Sequence, residues 1–406
     1  MKNLAHRLSA LSMYHASIYL LAFCIPLLKY GIQVPIILLV ITWLFTKKEL
    51  DKKKLLPILL FISVYLFHLI GMFYTDNIDR GMRDLVQKLS LILFPLLLGT
   101  GPKLTEKMRK GGMHFFIWGT LIAVISSFIS SGIEYGATGN PAVFYMSDFS
   151  PAHHPSYISF YVVTALAMLL LKIEETQEKK RMVSIWLAVV FLSLSLVFPA
   201  SKMGFLNWAM VFILFLAKWL FSKARLKKQA FILTGTGLLF LVFLKFDPVA
   251  RARLEKAVAV TSELDQPKEE SQVESNTARL YAWSTALDII KKTPFGVGTG
   301  DINQAMVSSF REQNLDYLAD KSLNPHNEYL QLAVALGIPA ALFFIFSLFY
   351  PFGIIIRTED WIYGIFLLSV LAQFSVESML EKQSGVIFFA FFNAFFFFSP
   401  KSSRWA

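Results

Sequence analysis

Long apolar runs alternate along this chain with short polar connections. A helix crossing a hydrocarbon layer of about 30 Å needs about 20 apolar residues, with about 17 to 25 tolerated. On that scale the runs predict spans near 15–30, 32–46, 55–73, 85–100, 113–132, 156–172, 183–199, 203–221 and 230–246. A long polar stretch follows, then runs near 329–350 or 338–356, 361–378 and 385–399. Backbone polar groups inside a bilayer must be satisfied by the chain itself, so runs of this kind are helices.

The connections assign sidedness. Lys47, Lys48, Lys52, Lys53 and Lys54 fill the second, and Lys103, Lys107, Arg109 and Lys110 the fourth. Lys179, Lys180 and Arg181 fill the sixth, and Lys223, Arg225, Lys227 and Lys228 the eighth. The alternate connections are poor in lysine and arginine, and 133–155 has neither. Lysine and arginine gather on the cytoplasmic side, whereas long loops escape that rule. Both termini are therefore expected in the cytoplasm, with 133–155 and 247–327 facing outward. The fold expected is an all-α polytopic membrane protein of about 12 transmembrane helices, with one large extracytoplasmic helical loop between the ninth and tenth spans. The chain divides into a bundle of spans over 1–246, a loop domain over 247–327 and the remaining spans over 328–406.

Within the loop, 248 to about 264 reads as a basic helix, and 263–274, acidic and containing Pro267, as a linker. A second helix, capped by Asn276 or Thr277, carries Leu280, Trp283, Leu287 and Ile290 at helical spacing and runs to Lys292. Thr293-Pro294 and Gly296 stop it, and Asp301 is expected to cap a third helix.

Composition agrees with this pattern. Hydrophobic residues make up 55% of the 406 and charged residues 17%, far below the roughly 25% of a soluble domain. Mean hydropathy is +0.54. The 39 phenylalanines crowd into the apolar runs, as lipid-facing helices require. A net charge of +11 would suit a nucleic-acid partner, but the basic residues sit in short clusters between spans, where they act as topology signals. Cys24 is the sole cysteine, so no intrachain disulfide and no cysteine metal site is available. Lys2 and Arg7 before an apolar run read as an uncleaved signal anchor.

Polar residues near the outer face are the candidates for chemistry. Lys202 sits in the tight connection Pro199-Ala200-Ser201-Lys202-Met203-Gly204, Arg279 opens the loop helix, and His326 precedes the tenth span. Taken singly, each has an ordinary reading: a snorkelling lysine, a solvated surface arginine, an interfacial histidine. His153-His154-Pro155 lacks the ligand spacing of a metal site, and an interfacial or acceptor-lining role is expected, with His154 the substrate contact. Arg80 and Arg83 lie in the outward loop 74–84 and could touch carrier or acceptor phosphates, but Asp76, Asp79 and Asp84 beside them could equally neutralise them, the more ordinary reading. Glu377 and Glu381 close the eleventh span, where a buried acid is costly unless used. Gly296, Gly298 and Gly300 follow no strand, so tight turning explains them better than a phosphate loop.

The stretch Pro325-His326-Asn327-Glu328-Tyr329-Leu330-Gln331 with Gly337-Ile338-Pro339 resembles the signature of the O-antigen ligase and polymerase superfamily. Arg279 to Trp283, followed by Pro294, Gly296, Gly298 and Gly300, resembles it too. The resemblance implies a metal-independent, inverting glycosyltransferase without cofactors. Its donor would be a glycan on undecaprenyl diphosphate and its acceptor lipid A-core, joined at the periplasmic face of the bacterial inner membrane. Arg279 would hold the diphosphate and His326 would assist the acceptor hydroxyl, with Asn327 as a further substrate contact. Where ligases carry a Ser-Arg-Gly-like turn, this chain has Ser201-Lys202-Met203-Gly204, so Lys202 would bind phosphate without the bidentate fork of arginine. Polymerases and protein O-oligosaccharyltransferases share part of the pattern. A transporter is the rival from another class, but transporters usually place ionisable residues at mid-membrane. Here those residues collect at the outer face.

Overall fold

The computed structural model describes residues 2–49, 51–150, 152–222, 224–252 and 275–399, and leaves the side chains of 2–10 and 275–276 undescribed. Every element among the described residues is helical. In chain order the α-helices are α1 (Lys2–Cys24), α2 (Gln33–Leu44), α3 (Lys52–Gly71), α4 (Ile78–Lys88), α5 (Ser90–Thr100), α6 (Glu106–Thr138) and α7 (Met146–Phe149). Then come α8 (Pro155–Glu175), α9 (Lys179–Ser195), α10 (Lys202–Leu220) and α11 (Ala224–Phe246). After the undescribed stretch follow α12 (Ser275–Lys292), α13 (Ile302–Glu312), α14 (Asp316–Asp320), α15 (Glu328–Phe349), α16 (Phe352–Thr358), α17 (Trp361–Phe374) and α18 (Gln383–Phe398).

Each apolar run of the sequence is thus a helix or a pair of helices. Six segments among the described residues are long and apolar enough to cross a membrane: Lys52–Tyr74, Glu106–Thr138, Pro155–Glu175, Lys202–Leu220, Ala224–Phe246 and Glu328–Thr358. Leu11–Cys24, Gln33–Leu44, Trp361–Phe374 and Gln383–Phe398 are shorter apolar helices. The chain is an integral membrane protein. The helix expected from 248 is present over 248–252. Its continuation to 264, the linker 263–274 and the side chain of Asn276 lie outside the described residues. Thr277 falls within the first turn of α12.

The helices group into two compact units: α1, α2 and α6–α11 in one, α3–α5 and α12–α18 in the other. In the first, α8 is buried from Tyr157 to Leu170 and lies against α9 and α10. Gly119 lets α6 meet the backbone of α1, since a Cβ there would strike the Phe23 carbonyl. Along α11, Phe231, Leu238, Leu241 and Phe246 are exposed, a face suited to lipid.

The second unit is built on α18. Phe388, Phe391, Phe392, Phe395 and Phe396 are fully buried, so this phenylalanine run is core and does not face lipid as the sequence pattern suggested. Its rings meet others edge-on, Phe391 against Phe94 at 5.5 Å and Phe366 against Phe388 at 5.8 Å. Helix association within a bilayer depends on such packing rather than on the hydrophobic effect, and each aromatic pair contributes about 0.5–1.5 kcal/mol.

α15 is broken at Gly337, whose φ of 86° and ψ of 169° are not helical. An unbroken helix would pair the Ile338 N–H with the Val334 carbonyl, and Pro339 has no N–H for Ala335. The loop after α12 replaces these bonds. Val297 N–H donates to the Val334 carbonyl (2.9 Å), Gly298 N–H to Ala335 (3.0 Å), and Ile338 N–H donates to the Pro294 carbonyl (2.9 Å). The Val334 and Ala335 carbonyls and the Ile338 N–H, released by the break, are thus all paired, as irregular backbone at membrane depth requires. Only glycine fits where the two backbones touch: Gly296 has φ 88°, and a Cβ on it would strike the Ala335 carbonyl.

The same loop is tied to the end of α3 and the turn beyond it. Thr299 Oγ1 donates to the His68 carbonyl (2.7 Å), and Gly300 N–H to Thr75 Oγ1 (3.0 Å). Asp301 does precede α13 as its N-cap, but its side chain makes no capping bond. Its two carboxylate oxygens instead accept from the N–H groups of Asp76 and Asn77, each at 2.8 Å. Two amide donors outside the helix thus satisfy one oxygen each.

Candidate active site

His326 lies on the turn that leads into α15. Pro325 fixes the chain before it, and the Asn324 side chain accepts the His326 N–H at 3.0 Å, an Asx-type turn. The histidine backbone takes φ 46°, a left-handed conformation that costs energy for any residue with a Cβ. Asn327 follows as the N-cap, its Oδ1 accepting the Leu330 N–H at 3.1 Å.

The two residues after the histidine hold a neighbouring segment. Asn327 donates from Nδ2 to the Ser375 carbonyl (2.9 Å) and from its backbone to Ser378 Oγ (3.2 Å). Glu328 is fully buried, and its Oε2 accepts the Leu380 N–H at 2.7 Å. Together they fasten the connection between α17 and α18 to the start of α15. That connection carries Glu377.

Glu377 joins the two expected catalytic residues. Its Oε2 accepts from Arg279 Nη2 at 3.3 Å, and the same oxygen lies 3.7 Å from His326 Nδ1. The second distance is too long for a hydrogen bond, and His326 Nδ1 is buried with no hydrogen-bond partner. The Arg279 and His326 side chains keep 26% and 32% of their surface exposed, so both remain open to a ligand. Arg279 reaches this point from the second turn of α12, which packs along α15.

Below the turn lies a buried ion pair. Lys88, with no exposed side-chain surface, donates to Glu381 Oε1 at 2.8 Å. Removing one partner of such a pair costs about 3–5 kcal/mol, so the pair is a structural anchor for the same connection.

The other expected site residues belong to the first unit. Lys202 is the first residue of α10 and is half-buried. Around it Ser201 Oγ accepts the Gly204 N–H at 3.2 Å, and a Cβ on Gly204 would meet Ser159 of α8 at 2.6 Å. Serine and glycine in that turn thus have structural reasons to be there. His154 is exposed and caps α8, its Nδ1 accepting the Ser156 N–H at 3.3 Å. His153 is buried edge-on against Tyr161 at 5.2 Å. Burial, followed by the charge of Lys29, pushes the His153 imidazole down to about 4.

Among the expected residues, then, Arg279, His326 and Asn327 share one locality. Asn327 uses one bond at each end of its side chain to hold this structure together, which gives it a structural role whether or not it also meets substrate. Sequence reading missed the junction made by Glu377. Its only signal was an acid placed where burial is costly.

Chemically, the arrangement offers a cation, an imidazole and a carboxylate facing both. That set can bind an anionic ligand and move a proton. No curated protein matches the chain. Residues 187–345, the stretch that contains Lys202, Arg279 and His326, match the family model described as O-antigen ligase.

Proposed function

We propose that this protein transfers a glycan from undecaprenyl diphosphate to a lipid A-core acceptor at the periplasmic face of the inner membrane, with both termini cytoplasmic. The observation that carries the proposal is the single Glu377 oxygen set 3.3 Å from Arg279 and 3.7 Å from His326. Arg279 binds the diphosphate of the donor, exchanging part of its contact with Glu377 for phosphate oxygens.

In the transfer step the acceptor hydroxyl oxygen forms a bond to the anomeric carbon. The bond from that carbon to the diphosphate oxygen breaks, and its electron pair leaves with the diphosphate. The hydroxyl proton passes to Nε2 of His326, and the imidazolium so formed is stabilised by Glu377 at Nδ1. At 3.7 Å the carboxylate acts on the ring by charge, favouring the imidazolium over the neutral imidazole as the proton arrives. Attack opposite the leaving group inverts the anomeric centre. Diphosphate is already a good leaving group, and a positioned cation offsets its growing charge.

Deletion of the gene followed by analysis of surface glycans tests this reading. Loss of all long chains from lipid A-core is the expected result. A single repeat left on the core would mean a polymerase instead, and loss of glycan from proteins would mean a protein O-oligosaccharyltransferase. Unchanged glycans together with a lost solute uptake would overturn the enzyme reading in favour of a transporter.

A further inference from the structure

Beside the His326 turn the second unit has a partly open cavity of about 170 Å³ whose walls come from α4, the start of α13, the 322–324 loop, α15 and the 381–382 turn. An apolar cavity of about 150 Å³ is known to hold a benzene ring, so this one has room for a six-membered ring. Its walls, however, are polar. Arg80 and Lys382 stand with Asp84 and Glu381, two cations with two carboxylates, and Asn303, Asn324 and Gln331 add neutral amides.

Balanced charge does not select a phosphate. Paired carboxylates and amides, offering donors and acceptors in several directions, suit the hydroxyls of a sugar. Gln331 gives the sharper indication. Its residue is 3% exposed, yet its Oε1 is buried with no hydrogen-bond partner. A buried amide oxygen in that state is unfavourable until a donor arrives, and a ligand hydroxyl is such a donor.

The cavity is also joined to the catalytic turn. Asn324, which lines it, accepts the His326 N–H at 3.0 Å. Gln331 N–H donates to the Asn327 carbonyl at 2.8 Å. One wall of the cavity is therefore the turn that carries the base.

We infer that this cavity is a subsite for one sugar ring of the acceptor glycan, held by Gln331, Asp84 and Asn303. The assignment to the acceptor rests on the transferase reading above, whereas the binding of a sugar does not.

The test uses the full chain in lipid nanodiscs and, as probe, free oligosaccharides released by mild acid from the cell's own surface glycan. Saturation-transfer NMR should detect contact with one ring in the wild-type protein, and Gln331→Leu should weaken binding about tenfold. Asn303→Ala, at a half-exposed position where folding is not at stake, should weaken it severalfold. Absence of binding in the wild type, or unaltered binding in both variants, overturns the subsite. In transfer assays Gln331→Leu should raise the KM for acceptor about tenfold and leave that for donor within about twofold. A raised donor KM alone would overturn the assignment to the acceptor. Binding without any transfer by the wild type would leave the sugar site standing and remove the transferase reading.

Discussion

At the scale of single residues, the motif beginning at His326 divides its labour. The histidine keeps about a third of its side chain exposed, whereas Asn327 and Glu328 fasten the segment that brings Glu377 opposite it. Arg279 and His326 could be picked from the sequence because a cation and an imidazole near an apolar boundary are costly unless used, and because their motifs resemble a family. Glu377 could be noticed but not placed, since its role depends on hydrogen bonds between segments far apart in the chain. Glu377→Gln keeps the shape and removes the charge that faces both partners. Initial rates of glycan transfer should fall about tenfold, the order of one charge-assisted contact of about 1.5 kcal/mol. Glu377→Asp should recover part of the loss. A rate unchanged in Glu377→Gln would show that the carboxylate takes no part.

At the scale of elements, the helices were legible because the length and composition of an apolar run are local properties. The exception is α18, whose phenylalanines read as lipid-facing and prove to be core. Periodicity could not correct this, because a helix apolar all round looks alike in lipid and in protein. The glycines after α12 were legible as turns, but their partner was not: Gly296 and Gly298 serve the break at Gly337. Gly296→Ala should lower stability by about 2 kcal/mol or more, because it forces a Cβ into both a left-handed backbone and a carbonyl. Gly132→Ala, with nothing within 4 Å of the added carbon, should cause no loss. Thermal midpoints from tryptophan fluorescence in detergent would read both. An unaltered midpoint for Gly296→Ala would contradict the docking described for this loop.

At the scale of the whole molecule, the grouping of helices into two units interleaved along the chain formed no part of the sequence reading. Contacts between distant segments decide it, and no local pattern records them. The stability of the molecule should also depend on pH through His153, held near 4 in the folded protein against an ordinary value near 6.5. The unfolded chain binds the extra proton between those values, so stability is full above about 6.5 and falls as pH drops toward about 4. The slope from this group is at most about 1.4 kcal/mol per pH unit. His153→Phe should flatten that part of the profile, and an identical profile would contradict the burial of a neutral ring. The central claim is that Arg279 and His326 form one transfer site. Its most direct measurement is glycan transfer by purified protein in nanodiscs, comparing wild type with Arg279→Ala and His326→Ala. The account predicts that each variant still folds and loses about a hundredfold or more in rate. Full transfer by either folded variant would contradict it.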